Sequence, residues 1–292
     1  MSSLRQLEYL VTVADTGSFT RAAERLHVTQ PALSHQIRAL ERSSGGPLLE
    51  RLPRSVRLTP MGRAMLPHAR AALAEAERAK CAALHAAGLL HAELRLSTVY
   101  SVSLGVLPPT LRAWRDKHPN VHIRLFEHRH ADELRAAMLE GQADLAVGPQ
   151  PDGWRGPVRE LGVEEFVVVL PPGDPAAKPG ARTVRLETLA DREWVHFAQG
   201  HGLADVLDQA CARAGFVARA AVRTEQTATA PVLAAAGLGP TLVPSNVLPP
   251  GFGGVVLRAR PAVRRMLTAY TRDEPDVLTS AFLDTLADTV TP

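Results

Sequence analysis

The sequence predicts a fold that combines α+β and α/β regions in three consecutive parts: a small helical head, a long helix and a larger α/β body. Apolar residues recur at helical spacing through the first 45 positions, and short apolar strands alternate with helices after position 91. Between these regions, residues 60–88 are almost continuously Ala, Leu, Arg and Glu, which are strong helix formers. A length of 292 residues is enough for two or so globular units.

Charge is divided unevenly along the chain. Residues 1–90 contain 12 Lys and Arg against 7 Asp and Glu, whereas residues 91–292 contain 21 against 23. A basic head on a slightly acidic body is expected when the head binds a polyanion. With 46% hydrophobic and 22% charged residues, the composition is that of a folded protein and argues against disorder.

The sequence carries no pattern for export, membrane insertion or metal binding. No apolar run approaches the ~18 residues that span a bilayer, and Arg5, Glu8 and Asp15 interrupt the N-terminus where a signal peptide would be apolar. Cys81 and Cys211 lie far apart and form no metal-binding or disulfide spacing, so a thiol-pair redox sensor is also disfavoured. We therefore expect a cytoplasmic protein with no cofactor and no metal.

The head begins with two predicted helices. Leu4, Leu7, Leu10, Val11 and Ala14 recur at helical spacing and predict the first helix over residues 3–16. Gly17 ends this helix, and Ser18 can N-cap a second, short helix. The small side chains of Ala22 and Ala23 in the second helix would allow two helices to cross closely.

A third helix is predicted after a tight connection at His27-Val28. Thr29 can N-cap it, and Pro31 falls in its first turn, where a missing N–H costs little. Leu33, Ile37 and Leu40 form an apolar stripe, whereas a second stripe is polar and has no acidic residue. The residues on and beside that second stripe are Gln30, Pro31, Ser34, His35 and Arg38. Such side chains can bind base edges or phosphates, so helices two and three predict a helix-turn-helix.

This head resembles a known family of DNA-binding proteins. The segment SFTRAAERLHVTQPALSHQIRALE is similar to the DNA-binding signature of the LysR-type transcriptional regulators, and LLERLPRSVRLTPMG resembles the wing of that family. The resemblance implies a winged helix-turn-helix over residues 1–59 and DNA contacts from Thr29 and the polar stripe. It also implies contacts from Arg51 and Arg54 of the wing. The chain departs from the pattern at His35, where Arg is common, and at Ser44-Gly45-Gly46 and Leu48-Leu49.

The long helix predicts a contact between protomers. Eight residues, all Ala or Leu except for one Lys, follow heptad spacing: Leu66, Ala69, Leu73, Ala76, Lys80, Ala83, Ala87 and Leu90. Packing within its own chain is the alternative, but few of these groups are bulky. The resemblance likewise implies a dimerising linker helix over residues 60–90, in a homodimer or homotetramer.

The body alternates strands and helices, which favours parallel sheets covered by helices. Strands are predicted at 92–100, 121–128, 144–148 and 166–173, with later ones at WVHF and TLVP; helices are predicted at 131–140, 203–214 and 228–236. The valine run of 166–173 indicates a buried parallel strand.

This body resembles the effector-binding domain of the same family, a two-lobed fold like that of type 2 periplasmic binding proteins. The resemblance extends over nearly the whole chain and implies an effector domain over residues 91–292. Lobe one would comprise 91–162 and 267–292, and lobe two 163–266. A small-molecule effector would bind between the lobes, at the carboxyl ends of the strands.

Four places in the body are candidates for contact with the effector. These are Ser101, Val102 and Ser103 after the first strand, His130 after the second, Gly148 at the end of the third, and Phe197, Gln199 and His201 after a strand of lobe two. Hydroxyls at a helix start can bind a carboxylate, although plain helix capping explains them equally well. A surface role is the alternative for each histidine. We expect an effector that carries a carboxylate.

Other functional classes remain alternatives. The histidines at 118, 122, 128 and 130 suggest a metal site, but a solvated strand face explains their spacing better. The sequence has no GxSxG, HExxH or P-loop motif, and GFGG at 251–254 is a lone glycine cluster. We therefore expect a sequence-specific DNA-binding regulator rather than an enzyme. The alternative is a cytoplasmic small-molecule binding protein or enzyme on the same two-lobed fold.

Overall fold

The computed structural model describes residues 2–52, 55–86, 92–178 and 180–290. The chain divides into two compact units, Met1–Ala92 with Ala136–Gln142, and Glu93–Arg135 with Ala143–Pro292. Among the described residues, no helix is long and apolar enough to cross a membrane.

The first unit contains the predicted helices and a hairpin. Its elements are α1 (Leu4–Thr16), α2 (Phe19–Arg25), α3 (Gln30–Ser44), β1 (Leu49–Leu52), β2 (Ser55–Leu58) and α4 (Pro60–Ala86). Ser3, Ser18 and Thr29 cap the first three helices, each by accepting a hydrogen bond from a backbone N–H of the first turn. Gly17 ends α1 in the left-handed conformation at φ 62°, which glycine adopts without steric cost. The predicted caps and helix boundaries are confirmed to within a residue or two.

A single apolar core holds these elements together. Eleven apolar residues are buried there: Tyr9, Leu10, Val13, Phe19, Ala22, Ala23, Leu33, Ile37, Leu40, Leu48 and Leu49. Of the five apolar residues that predicted α1, only Leu10 is among them; Leu4 is exposed, and the other three are partly buried. The hairpin pairs β1 with β2 antiparallel, with Glu50 opposite Arg57. Glu41 fixes its entry, because its carboxylate accepts hydrogen bonds from the backbone N–H groups of Leu48 and Leu49 at 3.0 and 3.2 Å.

The long helix α4 accounts for most of the predicted linker. It runs unbroken from Pro60 to Ala86 with Pro67 inside it, whereas residues 87–90 of the predicted segment lie outside the described residues. The protomer-to-protomer seam and the predicted domain boundaries stay predictions.

Ten strands and six α-helices follow α4 in the described part of the chain; they belong to the second unit, except that residues 136–139 at the end of α7 belong to the first. They are β3 (Glu93–Val99), α5 (Tyr100–Gly105), α6 (Leu107–Lys117), β4 (His122–His128), α7 (Ala131–Leu139), β5 (Leu145–Gly148), β6 (Val158–Leu170), β7 (Thr183–Arg185), β8 (Glu193–Phe197), α8 (Gly202–Arg213), β9 (Arg219–Thr224), α9 (Thr229–Ala235), β10 (Thr241–Pro244), β11 (Val255–Arg260), β12 (Arg264–Tyr270) and α10 (Val277–Thr289).

One long strand links two halves of this unit. The strands β4, β3 and β5 are parallel neighbours, and β12 joins β5 antiparallel. The first part of β6 pairs with β12, and its last part pairs with β10 and β11. Strands β8 and β9 form a separate parallel pair. The two-lobed arrangement expected from the sequence is therefore present, with β6 shared between the lobes.

The direction of β6 differs from the sequence prediction. We expected residues 166–173 to form a parallel strand, but β6 starts at Val158 and runs antiparallel to all three of its partners, β10, β11 and β12. The prediction of burial is confirmed, since Phe166–Leu170 lie in the core. A valine run reports burial on both faces, and a central antiparallel strand satisfies that condition as well as a parallel one.

Candidate functional site

The solvent-facing side of α3 is basic and polar. Pro31, His35, Arg38 and Arg42 are exposed at helical spacing, and Gln30 is exposed beside them. The sole acidic residue of α3, Glu41, is engaged with the backbone that enters the hairpin. The helix therefore presents cationic and hydrogen-bonding groups to solvent without a competing carboxylate, as a surface for a polyanion requires.

Ser34 is buried rather than exposed, which differs from the stripe that the sequence suggested. Only 5% of Ser34 is accessible, and its hydroxyl accepts a hydrogen bond of 2.9 Å from Nη2 of Arg51 in β1. The Arg51 guanidinium also lies 4.4 Å from the centre of the Phe19 ring. Ser34 and Arg51, which were both predicted to contact DNA, are thus hydrogen-bonded to each other and hold the hairpin against α3. Of the others, Thr29 caps α3 and Arg54 lies outside the described residues.

A cavity of about 150 Å³ lies in the second unit, between its two lobes. It opens where β3, β4 and β5 end and where α8 begins. Its polar lining consists of Ser101, Arg129, His130, His201, Asp205 and Arg265, and the rest is largely apolar. A cavity of this volume is large enough for a molecule the size of benzene.

Several hydrogen bonds join the lobes at this cavity. The backbone N–H of Gly202, the first residue of α8, donates to the carbonyl of Arg129 at 2.8 Å. The ring of His130 accepts the N–H of Asp132 at Nδ1, so its Nε2–H donates to the Asp205 carboxylate at 3.0 Å. His130 is therefore already bonded across the lobes, and it is not a free partner for a ligand.

His201 is the N-cap of α8 and forms one wall of the cavity. Its Nδ1 accepts the N–H of Leu203 at 3.1 Å, so in the neutral ring the proton is on Nε2, 3.5 Å from the Thr227 hydroxyl. The ring stacks on Phe197 with 4.9 Å between the centres. Burial, followed by the charges of nearby cations, lowers the pKa of His201 below its usual value.

The stability of the second unit should therefore fall as the pH drops below about 6.5. Burial also lowers the pKa of His128, so both imidazoles take up protons in the unfolded state before the folded state does. Each can contribute up to about 1.4 kcal/mol per pH unit in that range. The three tryptophans of the chain, Trp114, Trp154 and Trp194, all lie in this unit. Urea unfolding followed by tryptophan fluorescence between pH 7.5 and 5.5 measures the effect.

The matched control for this prediction is His201→Asn. Asparagine keeps a side-chain acceptor for the helix cap but does not titrate. We expect a shallower decline in stability with falling pH for this variant. An identical pH dependence would show that His201 does not remain neutral in the folded state.

The cavity contains some of the residues predicted from the sequence and omits others. Ser101, His130 and His201 line it. Gly148 ends β5 one residue before the lining Pro149, and Phe197 lies behind His201. Val102 is fully buried, and Gln199 is exposed in the turn after β8. The Ser103 hydroxyl lies within hydrogen-bond distance of two acceptors, the Glu127 carboxylate and the Tyr100 carbonyl. Arg129, Asp205 and Arg265 were missed, and no local sequence pattern marks Arg265.

The histidine cluster and the thiols give no sign of metal or redox chemistry in the described part of the chain. No group of three or more His, Cys, Asp or Glu residues there is arranged to hold a metal ion. Cys211 is buried, and burial raises its pKa to about 12, so its reactive thiolate form is scarce near neutral pH. The side chain of Cys81 lies outside the described residues.

Two family models match the chain. The bacterial regulatory helix-turn-helix model of the lysR family covers residues 4–63, and the LysR substrate binding domain model covers residues 87–291. A probable hydrogen peroxide-inducible genes activator from Mycobacterium avium is 36% identical over 248 residues, which are 83% of this chain and 78% of the relative. The HTH-type transcriptional regulator ShiR from Corynebacterium glutamicum (strain R) is 30% identical over 296 residues, 99% of each protein.

Solved structures of one regulator agree in fold with the whole chain. CbnR, described as a LysR family transcriptional regulator, superposes with a TM-score of 0.71 at 25% identity, over 99% of this chain and 100% of that one. Full-length CbnR complexed with its target DNA gives a TM-score of 0.67 at 27% identity, over 99% and 98% of the two chains.

Proposed function

The chain belongs to the LysR family of DNA-binding transcriptional regulators with an effector-binding domain, and we propose that it binds operator DNA through the exposed face of α3. The observation that carries this proposal is the row formed by Pro31, His35, Arg38 and Arg42, with Gln30 beside it and no acidic side chain on the same face. Arg54 and the hairpin would add contacts to the phosphate backbone, as Arg and Lys commonly do.

Ser34 has a different part in this proposal from the base contact suggested by the sequence. Its hydroxyl holds Arg51, and Arg51 in turn holds the hairpin against α3. We assign to both residues the positioning of the hairpin relative to the recognition helix. Direct contacts with bases are assigned to the exposed residues.

The DNA proposal is tested by Arg38→Ala in a gel shift with the DNA upstream of the protein's own gene. Loss of a base or phosphate contact should weaken operator binding by about 1–3 kcal/mol. Arg112→Ala on α6 is the control, because it removes the same charge from an exposed position of the second unit. Equal affinities of wild type and Arg38→Ala would exclude this face of α3 as the DNA contact.

We propose that the small-molecule effector binds in the 150 Å³ cavity of the second unit. Polar groups from both lobes converge there, so a bound molecule would contact both at once. Any control of DNA binding must come from different effector affinities for two arrangements of the protein. The cytoplasm is the compartment we propose, with a homodimer or homotetramer paired through α4. LysR-family proteins are regulators, and we assign no catalytic role to the cavity.

Peroxide induction, named for the Mycobacterium avium relative, is not part of this proposal. A thiol that senses peroxide reacts as the thiolate and needs access to solvent. Cys211 is 1% exposed, and burial raises its pKa to about 12, so it meets neither condition.

A further inference from the structure

Arg265 forms the charged wall of the cavity, and part of its guanidinium is unused. Its Nε donates to the Glu164 carboxylate at 3.0 Å, and its Nη2 donates to the same carboxylate and to the Ser101 hydroxyl, the latter at 3.1 Å. An arginine has five N–H donors. Its Nη1 has no hydrogen-bond partner among the described residues. The Ser101 hydroxyl accepts from Arg265, so its own O–H can still donate to a ligand.

Glu164 balances the charge of Arg265 from inside the protein. Its side chain has no exposed surface, and its second carboxylate oxygen accepts from the Asn246 amide at 3.1 Å. The carboxylate is therefore fully engaged by residues that the fold supplies. The pairing stabilises Arg265 when no ligand is bound, because burial of a cation without a partner costs free energy.

The other polar groups of the cavity also have partners. Arg129 binds Glu133 at 3.2 Å, and His130 binds Asp205 at 3.0 Å. Arg129 also keeps unused N–H groups, but 48% of its side chain is exposed to water, whereas only 15% of the Arg265 side chain is. The free edge of Arg265 can bind a planar carboxylate. No second cation as buried as Arg265 lies among the described residues of the lining, which disfavours a dianion.

We propose that the cavity binds a small monocarboxylate through Nη1 of Arg265 and the hydroxyl of Ser101, with Glu164 as a built-in counter-ion that limits its affinity. The proposal rests on the cavity being the effector site. The volume of about 150 Å³ restricts the acid to roughly the size of a benzene ring.

The first experiment compares carboxylates with amides of nearly the same shape, so that the ligands of each pair differ mainly in charge. The full-length protein is unfolded by differential scanning calorimetry with acetate, propanoate or benzoate, and separately with acetamide, propanamide or benzamide. Sodium chloride at equal ionic strength and succinate are added as controls for salt and for a dianion. We expect at least one monocarboxylate to raise the unfolding temperature as its concentration rises, and its amide and succinate to have little effect.

Three variants then test the assigned residues, and a fourth serves as the control. Glu164→Gln removes the counter-ion and should bind the same monocarboxylate about tenfold more tightly, a change of about 1.4 kcal/mol. The double variant Arg265→Gln, Glu164→Gln removes both charges together and should unfold cooperatively but no longer respond to the acid. Ser101→Ala should weaken the response, whereas Ser103→Ala, whose hydroxyl binds Glu127, should leave it unchanged.

The outcomes separate this proposal from the proposed function. A response to no monocarboxylate, equal responses to acid and amide, or a response retained by the double variant would each overturn it. Unchanged affinity in Glu164→Gln would overturn the counter-ion role of Glu164. A gel shift of the wild type is run in parallel, because a protein that binds its operator but no carboxylate refutes only this inference, whereas failure to bind DNA refutes the proposed function.

Discussion

Replacing Arg265 by Gln is expected to lower the free energy of unfolding of the second unit by about 3–5 kcal/mol. Arg265 is the only cation among the described residues that binds Glu164, whose side chain has no exposed surface. The buried carboxylate of Glu164 would then keep the hydrogen bond from the Asn246 amide but have no positive charge beside it. Urea unfolding followed by tryptophan fluorescence reports this unit alone, because all three tryptophans lie in it.

The matched control is the double variant Arg265→Gln, Glu164→Gln. Removal of both members of a buried ion pair costs much less than removal of one, since no uncompensated charge is left behind. We expect the double variant to recover most of the stability lost by Arg265→Gln. Equal losses in the two variants would mean that packing of Arg265, rather than its charge, stabilises the fold.

The second large effect is expected for Ile37→Ala in α3. Ile37 is fully buried in the core of the first unit, and truncation of such a side chain costs about 2–5 kcal/mol. A core of eleven buried apolar side chains is small, so we expect the free energy of unfolding of the first unit to be small as well. The variant should therefore lose helical signal in circular dichroism at a lower temperature and bind operator DNA poorly near 37 °C.

The adjacent residue provides the control for Ile37→Ala. Arg38 is exposed, so Arg38→Ala should lower operator affinity without changing the melting temperature measured by circular dichroism. The two variants thus separate loss of the fold from loss of a contact. If Ile37→Ala bound DNA normally and melted at the wild-type temperature, α3 would not pack as described.

The head was predictable from sequence because its signals are local. Caps such as Ser18 and Thr29, the left-handed Gly17 and the apolar spacing of α3 lie within a few residues of what they control. Ser34 is the exception. A helical repeat gives the angle of a side chain around its own helix, but not that Arg51 reaches it from a strand seventeen residues later.

The cavity was predictable only in part, for a related reason. Its position followed from the strand ends, which is why Ser101, His130 and His201 were found. Arg265 enters from a strand 164 residues after Ser101 in the chain, so only the folded arrangement brings the two together. Ser103 does not line this cavity, because neighbouring hydroxyls on a helix point in different directions and this one contacts Glu127.

The long strand β6 determines how the lobes can move. Its backbone pairs with β12 at one end and with β10 and β11 at the other, so no flexible loop separates the lobes along this strand. The ladder between β6 and β12 has one irregularity, a register shift between Leu267 and Thr268. Bending of β6 elsewhere would strain ladder hydrogen bonds. We therefore expect a bound ligand to change the relative position of the lobes by a twist of this strand rather than by rotation about a hinge loop.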